Sequence, residues 1–436
     1  MSALTALVLV AAAAGTAYGL GWVDHWRGLD RPAAKPLPIA AVEAGDATVA
    51  SPASGGRPVA ARVRRALRAP LKDPRLGDHV VARVAGLRGA PVLAHGNGSI
   101  TPASTLKLLT TAAALHRLGP GWRPTTSATL SGHTLTVVGG GDVLLDDTGL
   151  AALASDTAAA LRHRHVKRVD LRWSGPYTGP AASPHWPKTY LPEEVVAPID
   201  PLWVDEGHTP GPDGTLGTED DGRVADPAHD ALAAFGHDLS GDGIKVGKVG
   251  GEGAAGRIRL ATHRGAPLDQ TVEHILELSD NEGAETLGHL MGHSFDGGVT
   301  ATLAALRDLG IDTKGLHLYD NSGLSRDDRV SADALVQVLQ HAATDPDLSA
   351  IIEGLPVAGW TGSLADRFTG PASAARGTAH AKTGTLTGVS ALAGTVTDAD
   401  GTPLVVAILA DGEDDTTAAR DALDDAMADL ARCHCG

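Results

Sequence analysis

Hydrophobic and polar positions along the chain change their period several times, and those changes mark out its organisation. Residues 1–23 carry no charged side chain and are rich in Ala, Leu and Val from Ala3 to Ala14. An uncharged stretch of roughly 20 residues is long enough to cross a hydrocarbon layer. It lacks the basic start of a typical cleaved signal, although small residues around Ala14 to Gly19 would suit cleavage. Export is therefore expected, with membrane anchor and cleaved signal both open. From 24 to 58 the chain turns to Pro, Ala, Gly and Ser without an apolar period, the pattern of a linker. The folded part is expected to begin near Val59.

Two β-like runs, His79 to Leu87 and Pro91 to Ala94, flank glycines and predict a hairpin. Ser104 to Leu118 then carries apolar residues at helical spacing, with Pro102 before it and Gly119-Pro120 as a stop. The stretch from about Thr126 to Gly265 is made of short β-like pieces broken by Gly, Pro and Asp. It reads as a mostly β insertion. Helical periodicity returns at Leu268 to Leu278, Gly283 to Met291, Thr300 to Leu309 and Ala332 to His341. Three strand-like runs follow (Ala379 to Thr387, Val389 to Thr397, Leu404 to Ala410), then an amphipathic helix from about Thr416 to Leu430. Adjacent strands with short turns imply an antiparallel sheet whose faces the helices must cover.

Charge narrows the range of partners. The formal net charge is -16, with no long Lys/Arg run. A chain without a basic stripe cannot neutralise many phosphates, which argues against nucleic acid as a partner. Cys433 and Cys435 sit in the tail Arg-Cys-His-Cys-Gly, too few ligands with His434 for a zinc site. The pair reads as an incidental tail, a mutual disulfide across one residue being strained, and no dependence on disulfides is expected. His289 and His293 are spaced i, i+4 but lack the intervening Glu of a zinc-protease helix. No metal and no cofactor is expected, and the histidines are read as surface residues.

Three short patterns carry candidate chemistry. In Ser104-Thr-Leu-Lys107, helical i, i+3 spacing puts a hydroxyl and an amine on one face. A Lys with a depressed pKa could take the Ser proton. Ser279-Asp280-Asn281 closes an amphipathic run, where a hydroxyl and an amide could both face a cleft. Lys382-Thr383-Gly384, with Thr385 after it, lies on the first of the three C-terminal strands. A Gly there lets a substrate backbone come close to the strand edge. Singly, each pattern also fits an N-cap, an Asx turn or a charged edge strand. Their order and context together change the weighing.

With those motifs the chain resembles the low-molecular-mass class C penicillin-binding proteins, D-alanyl-D-alanine carboxypeptidases that often act as endopeptidases. The likeness extends over TPASTLKLLTTAAALHRLGP (101–120), GGGD (139–142), HWPKTYLPEEVVAPIDPLWVD (185–205) and DPAHDALAAFGHDL (226–239). It continues through ELSDNEGAETL (277–287), YDNSGLSRDDRVSADAL (319–335), LPVAGWTGSL (355–364) and AKTGTLTGVSALAG (381–394). The resemblance implies an α/β (α+β) transpeptidase/β-lactamase-like core, an antiparallel sheet covered by helices, with the insertion placed between the first two motifs. Residues 59–125 and 266–436 would form that core and 126–265 the inserted domain or domains.

On this likeness Ser104 attacks the D-Ala-D-Ala carbonyl, Lys107 is the base and Ser279 passes the proton to the leaving amine. Asn281, Lys382, Thr383 and Gly384 would bind substrate, and the N–H groups of Ser104 and Thr385 would form the oxyanion hole. The implied partners are peptidoglycan stem peptides ending in D-Ala-D-Ala and β-lactam inhibitors, outside the cytoplasm, associated with the cell envelope or secreted. A β-lactamase or esterase of the same fold, or a silent wall-binding module, are the rival readings. Two positions depart from the family pattern: Trp360-Thr361 replaces the more usual Asp before Gly, and ETLGHLMGH lacks a basic residue.

Overall fold

Strands from the two ends of the folded region meet in one sheet, because each is apolar on both faces and needs cover above and below. A computed structural model describes residues 56–177, 180–209 and 222–436. The expected membrane-directed segment and nearly all of the expected linker lie outside these residues. In chain order α1 (Ala60–Ala66) precedes β1 (His79–Ala85), β2 (Leu93–His95) and α2 (Lys107–Leu118). Then come β3 (Thr125–Ser131), β4 (Thr134–Val138), α3 (Asp147–His163), β5 (Arg168–Ser174), the short pair β6 (His208–Thr209) and β7 (Gly222–Arg223), α4 (Pro227–Gly241), β8 (Lys245–Glu252) and β9 (Ile258–Arg264). The remainder holds α5 (Leu268–Leu278), α6 (Asn281–Gly292), α7 (Phe295–Asp308), α8 (Ala332–Ala342), α9 (Ala350–Glu353), β10 (Ala379–Leu386), β11 (Val389–Thr397), β12 (Pro403–Asp411) and α10 (Thr416–Ala431).

The first sheet is antiparallel throughout and runs β10-β11-β12-β1-β2. One face packs on α2, α5, α6 and α8 through Leu108, Leu109, Val272, Leu287 and Leu335. The opposite face is closed by α1 and α10 through Val63, Leu423, Met427 and Leu430. Side chains buried on both sides make a layered core, helix on sheet on helix. β10 is left as an edge strand, with its Gly384 against Pro102 and Thr105 just before α2.

Between α2 and α5 the chain builds a second sheet in the order β8-β5-β4-β3-β9. β4–β5 and β5–β8 are parallel pairs. Parallel neighbours need a crossover, and α3 and α4 supply the two crossovers here. The expected strands are present, and these two helices are an addition to what the sequence pattern suggested. Both are built on Ala with Gly and Asp interspersed, so few large side chains mark their buried stripe. Their N-caps were the readable signal: Asp146 accepts from the Gly149 N–H at 2.8 Å, and Asp226, followed by Pro227, accepts from His229 at 3.0 Å.

The C-terminal tail corrects another expectation. Cys433 and Cys435 are joined by a disulfide, their Cα atoms 5.1 Å apart and so within bonding reach. Cys435 is fully buried, and its N–H donates to Asp398 Oδ2 at 2.8 Å. Its carbonyl accepts from the Val59 N–H at 2.7 Å. The tail is therefore part of the packing between the first sheet and α1 and α10 rather than incidental. A bond closing so short a loop restricts the unfolded chain little, so burial and hydrogen bonds hold the tail.

Candidate active site

Ser104, Ser279, Asn281 and Thr385 line one cleft of about 680 Å³ together with Tyr190 and Glu206, whereas Lys107, Lys382, Thr383 and Gly384 do not line it. Ser104 lies in a 3₁₀ turn, Ala103–Leu106, that leads directly into α2. Ala103 before it has φ +45°, a conformation that a residue with a Cβ seldom adopts. Two glycines crowd this turn. A Cβ on Gly384 would stand 2.5 Å from the Pro102 carbonyl oxygen, and one on Gly323 (φ +86°) would strike the Ala103 carbonyl. Bare backbone from two remote segments thus fixes the position of Ser104.

Lys107 is completely buried one helical turn on. Its Nζ donates to Ser104 Oγ at 2.9 Å, Asn281 Oδ1 at 2.7 Å and the Ser322 carbonyl at 2.8 Å. Burial lowers its pKa to about 8, against the pull of Asp280, Asp320, Glu285 and Glu282. Lys382 is buried too, and burial together with the charge of Lys107 holds it well below the usual lysine range. Two buried amines this close resist carrying two charges at once. An uncharged Lys107 can accept a proton from Ser104, so the cleft holds a hydroxyl beside a base.

Ser279 and Asn281 come from adjacent helices to the same cleft. Ser279 ends α5 in the left-handed conformation, φ +61°, and Asn281 starts α6. Thr383 Oγ1 lies 2.8 Å from Ser363 Oγ. Several contributors were missed by sequence reasoning. Ser322 provides the third acceptor for Lys107. Glu285 Oε1 accepts from the N–H groups of Asn321 at 3.0 Å and Ser322 at 2.9 Å, which shapes that loop. Burial and Asp320 raise its pKa to about 8. Glu282 Oε1 accepts from the Ala197 N–H and from Arg223 Nε, both at 2.9 Å, joining α6 to the region between α2 and α5. Burial would raise its pKa, but His208 and Arg223 hold it at about 2. The blocks YDNSGLS and WTGSL were the available signal for Ser322 and Ser363, though neither has a chemistry of its own.

His289 departs from the surface reading. It is 3 % exposed, its Nδ1–H donates to the Glu285 carbonyl at 2.9 Å, and it packs against Tyr177 and Phe295. Trp360, by contrast, is 73 % exposed beside the loop that carries Ser363.

A family model described as D-Ala-D-Ala carboxypeptidase 3 (S13) matches residues 63–211 and 212–432. The chain is 35 % identical over 398 residues to carboxypeptidase DacB of Mycolicibacterium smegmatis, covering 85 % of this chain and 84 % of that one. It is 38 % identical over 194 residues, 41 % of this chain and 36 % of the other, to the D-alanyl-D-alanine carboxypeptidase of an Actinomadura strain. The fold is similar to penicillin-binding protein 4 of Haemophilus influenzae, with a TM-score of 0.70 at 20 % identity, covering 84 % and 98 % of the two chains.

Proposed function

The chain belongs to the D-Ala-D-Ala carboxypeptidase 3 (S13) family, and from that premise we propose that it hydrolyses D-Ala-D-Ala-terminated peptidoglycan stems through an acyl-serine at Ser104. It is a serine-type D-alanyl-D-alanine carboxypeptidase, and β-lactams acylate it as substrate mimics. The observation that carries the residue assignment is the buried Lys107 amine, 2.9 Å from Ser104 Oγ, with a pKa brought down to about 8.

In the proposed reaction neutral Lys107 takes the Ser104 proton as Oγ attacks the penultimate D-Ala carbonyl. The backbone N–H groups of Ser104 and Thr385 receive the oxyanion. Asn281 orients the acyl side, and Lys382 with Thr383 receives the terminal carboxylate at the β10 edge. An arriving carboxylate stabilises a proton on Lys382. The two amines disfavour a double charge, so that proton in turn keeps Lys107 neutral, and substrate binding readies the base. Ser279 hands a proton to the departing D-alanine amine, which breaks the peptide bond and leaves the acyl ester on Ser104. Water then releases the shortened stem. The same site can cut a cross-link when the leaving amine belongs to a second stem, which gives endopeptidase action.

Residues 59–125 and 266–436 form the catalytic domain in this reading, with 126–265 inserted into it. A substrate in the cell wall places the enzyme outside the cytoplasm. The uncharged run 1–23 supports export and association with the membrane or release from it. The test is labelling with a fluorescent penicillin beside the Ser104→Ala variant. A stable adduct on the wild type that vanishes in the variant, followed by D-alanine release from a stem pentapeptide, supports the reading. A folded wild type that takes no label points to a binding module, and rapid turnover of the drug points to a β-lactamase.

A further inference from the structure

Beside the reacting residues, on the floor of the same cleft, a histidine and two carboxylates converge from three separate elements. Glu206 comes from the turn that precedes β6, His274 from α5, and Asp280 from the N-cap of α6. One ligand atom of each lies within 4.8 Å of the others. His274 Nε2 is 3.3 Å from Glu206 Oε1. Asp280 uses Oδ1 to accept the Gly283 N–H at 2.8 Å. The remaining oxygens, Glu206 Oε2 and Asp280 Oδ2, are sealed from solvent and have no hydrogen-bond partner among the described residues. The Glu206 side chain is 7 % exposed.

Two buried carboxylates this close are relieved either by a proton shared between them or by a bound cation. Neighbouring Arg223 and His208 are engaged with Glu282. The His274 imidazole, 3.3 Å from Glu206 Oε1, and the charge of Arg223 compensate Glu206 in part. Burial and the charge of Asp280 nonetheless push the Glu206 carboxyl well above its usual range.

We propose that Glu206, His274 and Asp280 bind a divalent transition-metal ion, zinc in the first instance, as a structural site tying the inserted region to the Ser279-Asp280-Asn281 segment. One imidazole and two carboxylates suit zinc or manganese better than magnesium or calcium, which favour all-oxygen shells. A zinc ion about 2 Å from each ligand would draw the three atoms to roughly 3.3 Å apart. The cleft can supply water as a fourth ligand, and it gives the ion a way in. The ion would hold Asp280, and with it the backbone on either side, against Glu206. It takes no part in bond cleavage. This site does not rest on the assignment of Ser104 and can fail or hold independently of it.

The experiment is calorimetric titration of the full chain, stripped with a chelator, with zinc chloride. Expected are one equivalent bound at the site and a thermal midpoint raised by about 4 °C at a zinc concentration a hundredfold over the dissociation constant. Glu206→Gln and His274→Asn should each weaken that binding at least tenfold and abolish the midpoint shift. X-ray absorption of the zinc-loaded wild type should show one nitrogen and otherwise oxygen neighbours, a readout that stands even if a variant misfolds. No stoichiometric binding would overturn the proposal and leave a proton shared between the two carboxylates. Binding that both folded variants retain, or a zinc shell of several nitrogens or sulfur, would also overturn it, placing the ion on other histidines or on the tail.

Discussion

Lys107 Nζ lies 2.9 Å from Ser104 Oγ, and no part of the Lys107 side chain reaches solvent. Burial brings its pKa to about 8, so only a minor fraction is neutral near pH 7. The acylation rate by a β-lactam should climb close to tenfold per pH unit below 8 and level off above it. Stopped-flow acylation from pH 5 to 10 reads this directly. A flat profile would remove Lys107 as the base.

Asn281 Oδ1 accepts from Lys107 at 2.7 Å. Replacing that neutral oxygen with a charged one, Asn281→Asp, stabilises the ammonium. The midpoint of the acylation profile should move to alkaline pH by about one unit or more, and the rate at pH 7 should fall at least tenfold. A variant with unchanged midpoint would show that the contact does not govern the base.

The fold itself was largely readable where periodicity is strong. α5 and the strand trio β10 to β12 lie within a residue or two of the apolar runs that forecast them. Ser104 and Lys107 stood out only through the order of their motif with the two later ones, helical spacing serving to put both on one face. The Ser322 carbonyl was not, since it meets Lys107 only after the chain folds across many intervening elements. α3 and α4 stayed hidden because alanine gives a weak apolar stripe. The Glu206, His274 and Asp280 convergence has no spacing pattern at all.

Glu285 gives a stability prediction with a definite sign. Its carboxyl has an ordinary value of 4.5 and a folded value of about 8, raised by burial and Asp320. Between those limits the folded chain holds the extra proton, so this group's contribution is complete below pH 4.5 and lost as pH rises through 8. The slope from one proton cannot exceed about 1.4 kcal/mol per pH unit. Glu285→Gln should keep the melting temperature at pH 5 and flatten its decline toward pH 8. Parallel melting curves for both proteins would refute the assignment.

Arg367 and Asp424 form a buried pair, Nη2 to Oδ1 at 2.6 Å, that ties α10 to the loop before β10. Arg367→Ala strands the carboxylate and should cost about 3–5 kcal/mol. Arg367→Met combined with Asp424→Leu should recover most of that loss, because neither charge is then left buried alone. Urea unfolding of the three proteins makes the comparison.

Gly384→Ala should abolish penicillin labelling with a smaller loss of stability, because its Cβ, 2.5 Å from the Pro102 oxygen, must push β10 away from the Ser104 turn. Labelling at the wild-type rate would show that the turn can give way.

The crowding of Gly323 and Gly384 against the carbonyls of Ala103 and Pro102 also bears on how this enzyme could diversify under selection by a drug. Backbone pressed on backbone offers no side chain to trade, so lineages that keep the reaction must keep both glycines. Variation that spares function is channelled to side chains that can change size, Tyr190 and Leu386 on the cleft wall and the exposed Trp360. A survey of naturally resistant isolates would therefore find its substitutions among such side chains and none on the turn itself.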